Sequence, residues 1–308
     1  MGRCRPCRWL VVAATAVLTL GCSPPPPNGP VERTPEPPGP PSSELIAFVS
    51  DRDGSDALFV MGADGSGVRR ITEDVPPVSH PAWSADGERI AFNAGSPTAS
   101  DIYLIDSDGS GLTQLTRDAY ANFYPTWSPD GSRLAFSSNR DGDWDIYVMN
   151  ADGSRVRQLI DSAGLDDKPQ WSPDGSQIGF ANTRHGSPEL LAVDPDTGAE
   201  STLLPDPVGG LNPAWSSDGS LLAFNVVTPA GFDIEVIAAN GEDRRSVLAT
   251  TASEERPRWS PDGSQLTYYS DARGSWDVYT LVMATGDTRS LTDNPGFDGQ
   301  PAWQPIRR

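Results

Sequence analysis

Cysteine is close to absent, with three in 308 residues. Cys4 and Cys7 fall in an amino-terminal stretch that reads as a removable leader, so their Cys-x-x-Cys spacing is not taken for a zinc or redox site. Cys22 then stands alone, and no disulfide can staple the chain that follows it. Histidine occurs only as His80 and His185, which is too sparse for a metal centre built on imidazoles, and no metal or other cofactor is expected. Lysine occurs once, at Lys168, and 23 basic residues face 42 acidic ones, for a formal net charge of −19. Such a balance repels phosphate backbones, which excludes nucleic acid as a partner class. No Gly-x-Ser-x-Gly nucleophile elbow occurs. Helical periodicity is nearly missing, and the one apolar run of note, Trp9–Leu20, is too short to span about 30 Å of hydrocarbon as a permanent helix.

What the first 43 residues do contain is an address and a spacer. Arg3, Arg5 and Arg8 precede the apolar run, and Gly21-Cys22 follows it, the order of an export signal. Thr19-Leu20-Gly21-Cys22 resembles a bacterial lipobox, which implies cleavage after residue 21 and a lipid on Cys22. Acyl chains there would hold the protein at a membrane through buried CH₂ groups. The segment 22–43 opens with Pro24-Pro25-Pro26-Pro27 and stays rich in Pro, Gly, Ser and charge. It cannot build a core, and as an extended tether it would reach about 3.1 Å per residue. The expected division is therefore a leader at 1–21, a lipidated tether at 22–43 and a folded domain at 44–308.

That domain is written as a repeat. Trp-Ser-x-Asp-Gly occurs at Trp83, Trp127, Trp171, Trp215 and Trp259, each 44 residues after the last, and Trp303 falls on the same beat. Periods of about 20–50 residues mark solenoids, propellers and arrays. Each period holds four short apolar or alternating runs separated by turn residues, and four short antiparallel strands make one propeller blade. The Pro-Asp-Gly and Ala-Asp-Gly tripeptides supply the turns: Pro presets φ, and Gly takes the left-handed position. A proline stands two residues before each of these six tryptophans, from Pro81 to Pro301. Proline cannot donate to a sheet ladder, so this strand is an edge, and being less polar than the other edge it is placed innermost, along a central channel. The aromatic row Phe48, Phe92, Phe136, Phe180, Phe224 and Tyr268 marks the second strand and, with the tryptophans, the core. The first repeat lacks its proline strand and the last segment, Gln300–Trp303, is a proline strand with nothing after it. Supplying one with the other gives an all-β, six-bladed propeller of four-stranded blades, with the first blade closed by the carboxyl-terminal strand.

Pro125–Ser154, with Pro-x-Trp-Ser-Pro-Asp-Gly, Leu-Ala-Phe and Arg-Asp-Gly-x-x-Asp-Ile-Tyr-Val-Met-Asn-Ala-Asp-Gly-Ser, resembles the TolB-type, WD-repeat-like propellers. The resemblance covers about 260 residues and implies a periplasmic propeller that binds a peptidoglycan-associated lipoprotein. The family's separate α/β domain has no counterpart before Glu44. Related propellers that are lyases hold a metal with several histidines and a glutamine, ligands this chain does not supply.

Comparing the six copies with one another separates scaffold from candidate site. The shared turns belong to one face, whereas the loops of the opposite face diverge, and specificity is expected there. The residue before each proline differs every time: His80, Tyr124, Lys168, Asn212, Arg256 and Gln300. These six are expected to ring the channel mouth. The nearby carboxylates Asp166, Asp167, Glu254, Glu255 and Asp298 are placed to pair with Lys168 and Arg256. Trp144, Phe232 and Trp276 hold one equivalent position before the third strand, beside Tyr120, Phe123, Phe297 and the arginines Arg52, Arg140 and Arg184. Aromatics and arginines of this kind serve protein or glycan interfaces. The acids opening the third strand, Asp101, Asp145, Glu189, Asp233 and Asp277, recur too regularly for a site and are read as turn and strand-start residues. The functional expectation is a monomeric, membrane-tethered, extracytoplasmic scaffold that binds an envelope protein or cell-wall partner. The alternative is an enzyme acting on extracytoplasmic glycan or peptide at the channel mouth, with His80, Lys168, Glu255 and Arg256.

Overall fold

The structure, a computed structural model, describes residues 44–162, 164–204 and 209–306. The leader, Cys22 and the Pro-rich tether lie outside the described residues.

Among the described residues, alternation and turn chemistry produce 24 strands in six four-stranded antiparallel sheets. The first blade contains β1 (Leu45–Ser50), β2 (Ala57–Gly62) and β3 (Arg69–Arg70). The second runs β4 (Val78–Trp83), β5 (Arg89–Ser96), β6 (Ala99–Asp106) and β7 (Thr113–Gln114), and the third β8 (Asn122–Trp127), β9 (Arg133–Ser138), β10 (Asp145–Asn150) and β11 (Arg157–Gln158). The fourth runs β12 (Asp166–Trp171), β13 (Ile178–Asn182), β14 (Glu189–Val193) and β15 (Glu200–Thr202). The fifth follows with β16 (Gly210–Trp215), β17 (Leu221–Thr228), β18 (Gly231–Ala238) and β19 (Arg245–Leu248). The sixth is β20 (Glu254–Trp259), β21 (Gln265–Ser270), β22 (Asp277–Val282) and β23 (Thr288–Ser290). The last strand, β24 (Asp298–Trp303), pairs antiparallel with β1 and completes the first blade in the order β24-β1-β2-β3, as the sequence predicts. The outer strands are shorter than the sequence suggests: β3, β7 and β11 keep two residues each.

Each Trp-Ser-x-Asp-Gly turn closes on itself. In the third blade Ser128 Oγ donates to Asp130 Oδ1 at 2.6 Å, and that same oxygen accepts the Ser132 backbone N–H at 3.0 Å. These bonds, the serine hydroxyl first, hold the Asp130 carboxyl down at about 2.

The core is a ring of clusters shared between neighbouring blades. Trp83 and Phe92 of the second blade, for example, pack with Ala47, Val60 and Ala302 of the first. Phe48, Phe92, Phe136, Phe180 and Phe224 are all fully buried. Three of the six repeat tryptophans do more than fill space, while the indole nitrogens of Trp171, Trp215 and Trp303 are buried without a hydrogen-bond partner. The indole N–H of Trp83 donates to the Ala302 carbonyl at 3.0 Å, that of Trp127 to Ala82 at 3.2 Å, and that of Trp259 to Ala214 at 3.1 Å. Each acceptor lies on the innermost strand of the preceding blade, so the same side chain that fills the core also rivets two blades together.

Candidate functional site

The proline strands line the channel, and all six carry the same irregularity. In β4 the register steps from Ser79↔Asn93 to Ala82↔Ala91, so His80 and Pro81 together oppose Phe92. The equivalent step occurs in β8, β12, β16, β20 and β24. Two residues against one is a β-bulge. Its first residue stands at positive φ in every blade: His80 +57°, Tyr124 +57°, Lys168 +58°, Asn212 +52°, Arg256 +52° and Gln300 +56°. This left-handed conformation costs a residue with a Cβ about 1–2 kcal/mol, and the missing proline N–H prevents the ladder from straightening. Some of the freed backbone donors are taken up by the preceding blade. The N–H of His80 donates to Gln300 Oε1 at 2.7 Å, that of Lys168 to Ser137 Oγ at 3.2 Å and that of Arg256 to Asn225 Oδ1 at 2.9 Å.

The bulges bring all six divergent residues onto one cavity of about 910 Å³. It runs from their ring to the end of the channel that carries the Trp-Ser-x-Asp-Gly turns, where Ala85, Asp86, Pro129, Asp130, Pro305 and Ile306 also line it. The ring therefore belongs to a cavity that extends away from the divergent loops toward the repetitive face. It is not merely a rim of polar groups around the loop-side mouth.

Within the ring, Tyr124 is the hub. The His80 ring lies 4.0 Å from it centroid to centroid, the Arg256 guanidinium carbon 4.8 Å and Lys168 Nζ 5.4 Å. Cations over an aromatic face are held by the ring quadrupole. Burial first, and then the charge of Arg256, hold the His80 imidazole well below the ordinary histidine range, against the opposing pull of its hydrogen bond to Asn93. His80 is thus neutral at pH 7; Nδ1 donates to Asn93 Oδ1 at 2.8 Å, which leaves Nε2 as the acceptor nitrogen. His185 lies apart, mostly exposed and beside Glu189 at 3.0 Å.

The carboxylates near the ring pair differently from expectation. Asp167 alone meets a ring cation, Lys168 Nζ, at 2.9 Å. Asp298 is bound by Arg52 at 3.0 Å through both oxygens, Glu255 accepts the Tyr269 hydroxyl at 2.7 Å, and Glu254 is held by Thr250. Asp166 is held by Ser162 and Asn182, with Arg184 at 4.0 Å. The reason is reach: Asp166, Glu254 and Asp298 open their strands and are buried at the loop end, two residues from the bulge that turns the ring inward. The loop arginines are likewise structural. Arg52 lies over the rings of Phe48 and Phe59, and Arg140 over Phe136 and Tyr147 while binding Asp118 and Asn122. They clamp loops to blades and are not free interface groups.

The acids at the start of the third strand hold the outer strand in place. Asp101 accepts from Gln114 at 2.8 Å and Thr116 at 2.8 Å, and Asp145 accepts from Gln158 at 2.9 Å. Asp145 is buried and its second oxygen has no partner. Burial, then the charges of Asp143 and Asp166, push its carboxyl up to about 6.

The rim aromatics divide. Trp144 packs on Phe123 at 5.6 Å, and Phe123 reaches His80 at 5.9 Å, so this side joins the ring. Trp276 packs on Tyr269 at 5.2 Å, with Phe297 at 5.8 Å from the same tyrosine. Phe232 makes no ring contact with another aromatic among the described residues; its backbone N–H is held by Ser253 Oγ at 3.2 Å. The same loop face exposes Tyr120 at 45%, Leu165 at 46% and Val227 at 61%.

Sequence reasoning missed Arg258, which lines the same cavity. The signal was available in the internal comparison, because the residue between proline and tryptophan is Ala82, Thr126, Gln170, Ala214, Arg258 and Ala302. A charge appears there once. Among the described residues, no group of three or more His, Cys, Asp or Glu side chains is placed to share a metal ion.

Comparison with known proteins agrees with the architecture. TolB from Acinetobacter baumannii superimposes with a TM-score of 0.78 at 22% identity, over 86% of this chain and 67% of that one. A putative TolB from Agrobacterium tumefaciens gives a TM-score of 0.66 at 20% identity, over 83% and 90%. A 57-residue stretch, 18% of this chain, is 39% identical to an uncharacterized peptidase, YuxL, of Bacillus subtilis, but spans 9% of that protein's length. The profile of the TolB beta propeller domain matches residues 46–306, and on that match the chain belongs to the TolB beta propeller domain family.

Proposed function

We propose that this protein is a non-catalytic binding propeller of the bacterial cell envelope, lipid-anchored through Cys22, that holds a protein or cell-wall partner on its divergent loop face. The observation that carries the reading is the distribution of exposed apolar side chains. Val68, Leu112 and Val156, exposed at 37–44%, occupy one repeated position 44 residues apart at the outer turns, which marks them as scaffold. Tyr120, Leu165 and Val227 have no such register. They lie on the loop face beside the Phe123–Trp144 and Tyr269–Trp276–Phe297 groups, whereas Ile306, the other unrepeated exposed apolar side chain among the described residues, lies at the turn end of the channel. Unrepeated apolar groups gathered on one face of a repeat protein are what a specific interface requires. The family resemblance to propellers that bind envelope lipoproteins supports the same reading.

Affinity capture from envelope extracts tests it, comparing the protein with a Tyr120→Ser, Leu165→Ser, Val227→Ser, Trp144→Ala variant. Loss of these side chains is expected to reduce recovery of the partner about tenfold or more. Equal recovery of the same proteins by both would remove the loop face from consideration.

The alternative, an extracytoplasmic enzyme working on glycan or peptide in the channel, draws on the neutral, half-buried His80 beside Lys168 and Arg256. A neutral imidazole is a competent general base. Turnover undiminished by His80→Ala would dispose of that reading.

A further inference from the structure

The cavity interior carries an electrostatic imbalance that the loop-face reading does not use. In a chain of net charge −19, the inner cavity wall presents Lys168, Arg256 and Arg258. Lys168 is neutralised by Asp167 at 2.9 Å. Arg256 is 9% exposed, makes no side-chain hydrogen bond or ion pair among the described residues, and rests on Tyr124 at 4.8 Å. Among the described residues, the Arg258 side chain donates only to the carbonyl of its own neighbour Pro257, at 2.9 Å. The carboxylates at the outer end of the cavity are already engaged. Asp86 is held by Ser84 and the Glu88 N–H, and Asp130 by Ser128 and Ser132. Closer in, Glu255 is occupied by Tyr269.

Two guanidiniums two residues apart on one strand, Arg256 buried and Arg258 half-buried, neither in an ion pair among the described residues, are costly, because a buried charge needs a partner. At Arg256 burial is outweighed by the surrounding tyrosines and the charges of Glu255 and Asp167, which raise the pKa. The consequence is visible at Arg258, where burial and then the neighbouring Arg256 lower the pKa to about 10. Forked donors of this kind match oxyanions in geometry as well as charge. The αL bulge at Arg256 and Pro257 behind it preset where the two side chains leave the strand, and a cavity of about 910 Å³ is within the range of small-molecule sites.

We propose that Arg256 and Arg258 form an oxyanion-binding site within the propeller channel, one that takes a small carboxylate- or phosphate-bearing ligand against the Tyr124 face. This site is separate from the loop face, so either proposal can fail without the other.

Thermal melts and titration calorimetry test it at matched ionic strength, with sodium chloride as the reference and inorganic phosphate or citrate as the probes. Either probe is expected to raise the melting temperature of the wild-type protein, and citrate acting at lower concentration than phosphate would identify carboxylate as the preferred chemistry. Arg256→Gln and Arg258→Gln should each weaken binding by about tenfold or more, the worth of a charged hydrogen bond. In chloride alone, Arg258→Gln should melt no lower than the wild type, since it removes a half-buried charge that has no ion-pair partner among the described residues. Arg258→Lys keeps the charge but loses the fork, and should bind more weakly than the wild type and more tightly than Arg258→Gln. Absence of any shift with both probes, or an equal shift in Arg258→Gln, would overturn the proposal, the second because it would be a general salt effect.

Discussion

At Lys168 a long side chain sits on a backbone that favours glycine, with φ at +58°, and the same holds around the ring. The strain has a use: it aims six dissimilar side chains into one cavity while Pro and Trp keep the strand in place. Lys168→Ala and Lys168→Gly both lose the Asp167 pair and the contact with Tyr124, so their difference isolates the backbone. The glycine variant should be the more stable of the two by about 1 kcal/mol in chemical denaturation; equal midpoints would mean the bulge is unstrained. Asp145 makes a second case at this scale. A carboxyl whose folded pKa of about 6 stands above its unfolded value near 3.9 binds its proton more tightly in the native state. Its contribution is therefore fully present below about pH 4 and is lost as pH rises through about 6. Asp145→Asn should raise stability at pH 8 by about 1 kcal/mol, after allowance for screening, and by much less at pH 4. Melting curves across that range would reveal a constant offset if the carboxyl is not responsible.

Among the elements, β24 is the one whose removal should matter most. It forms the inner ladder of the first blade against β1, its Asp298 binds Arg52, and its Ala302 carbonyl receives the Trp83 indole. Trp303 is itself 8% exposed; burying a side chain of that size is worth about 4–6 kcal/mol as an upper bound, against a total stability of roughly 5–15 kcal/mol. Deleting Gln300–Arg308 should therefore abolish cooperative unfolding or lower the melting temperature steeply by circular dichroism. A transition unchanged in midpoint and sharpness would show that the first blade stands without its inner strand. The two-residue outer strands are the opposite case, tied on by Asp101 and Asp145 through Gln114 and Gln158.

Over the whole molecule, the repeat places two kinds of difference at two kinds of place. The loops are free to vary because the turns and tryptophans of the other end hold the blades, and there the unrepeated apolar residues gather. The channel varies because six copies of one bulged position meet on one axis. Much of this was legible in a single sequence: a 44-residue beat with a missing first strand and a surplus last one specifies blade number and closure. The pairing of charges was not. Asp298 and Arg256 are near in the chain's repeat register, yet Asp298 is taken by Arg52 of the turn that follows β1, which no spacing rule could indicate.

What the sequence determined by itself is whatever depends on local periodicity. Alternation, Asp-Gly turns and proline at an edge act over a few residues, and copying them at a fixed interval leaves one closed arrangement that buries every Trp and Phe row. What only the tertiary structure decided is where the unlike residues meet. Arg256 and Arg258 have no ion-pair partner among the described residues, and Tyr124 lies 132 and 134 positions away. Their convergence exists because closure of the propeller turns sequence distance into angular distance around a narrow axis.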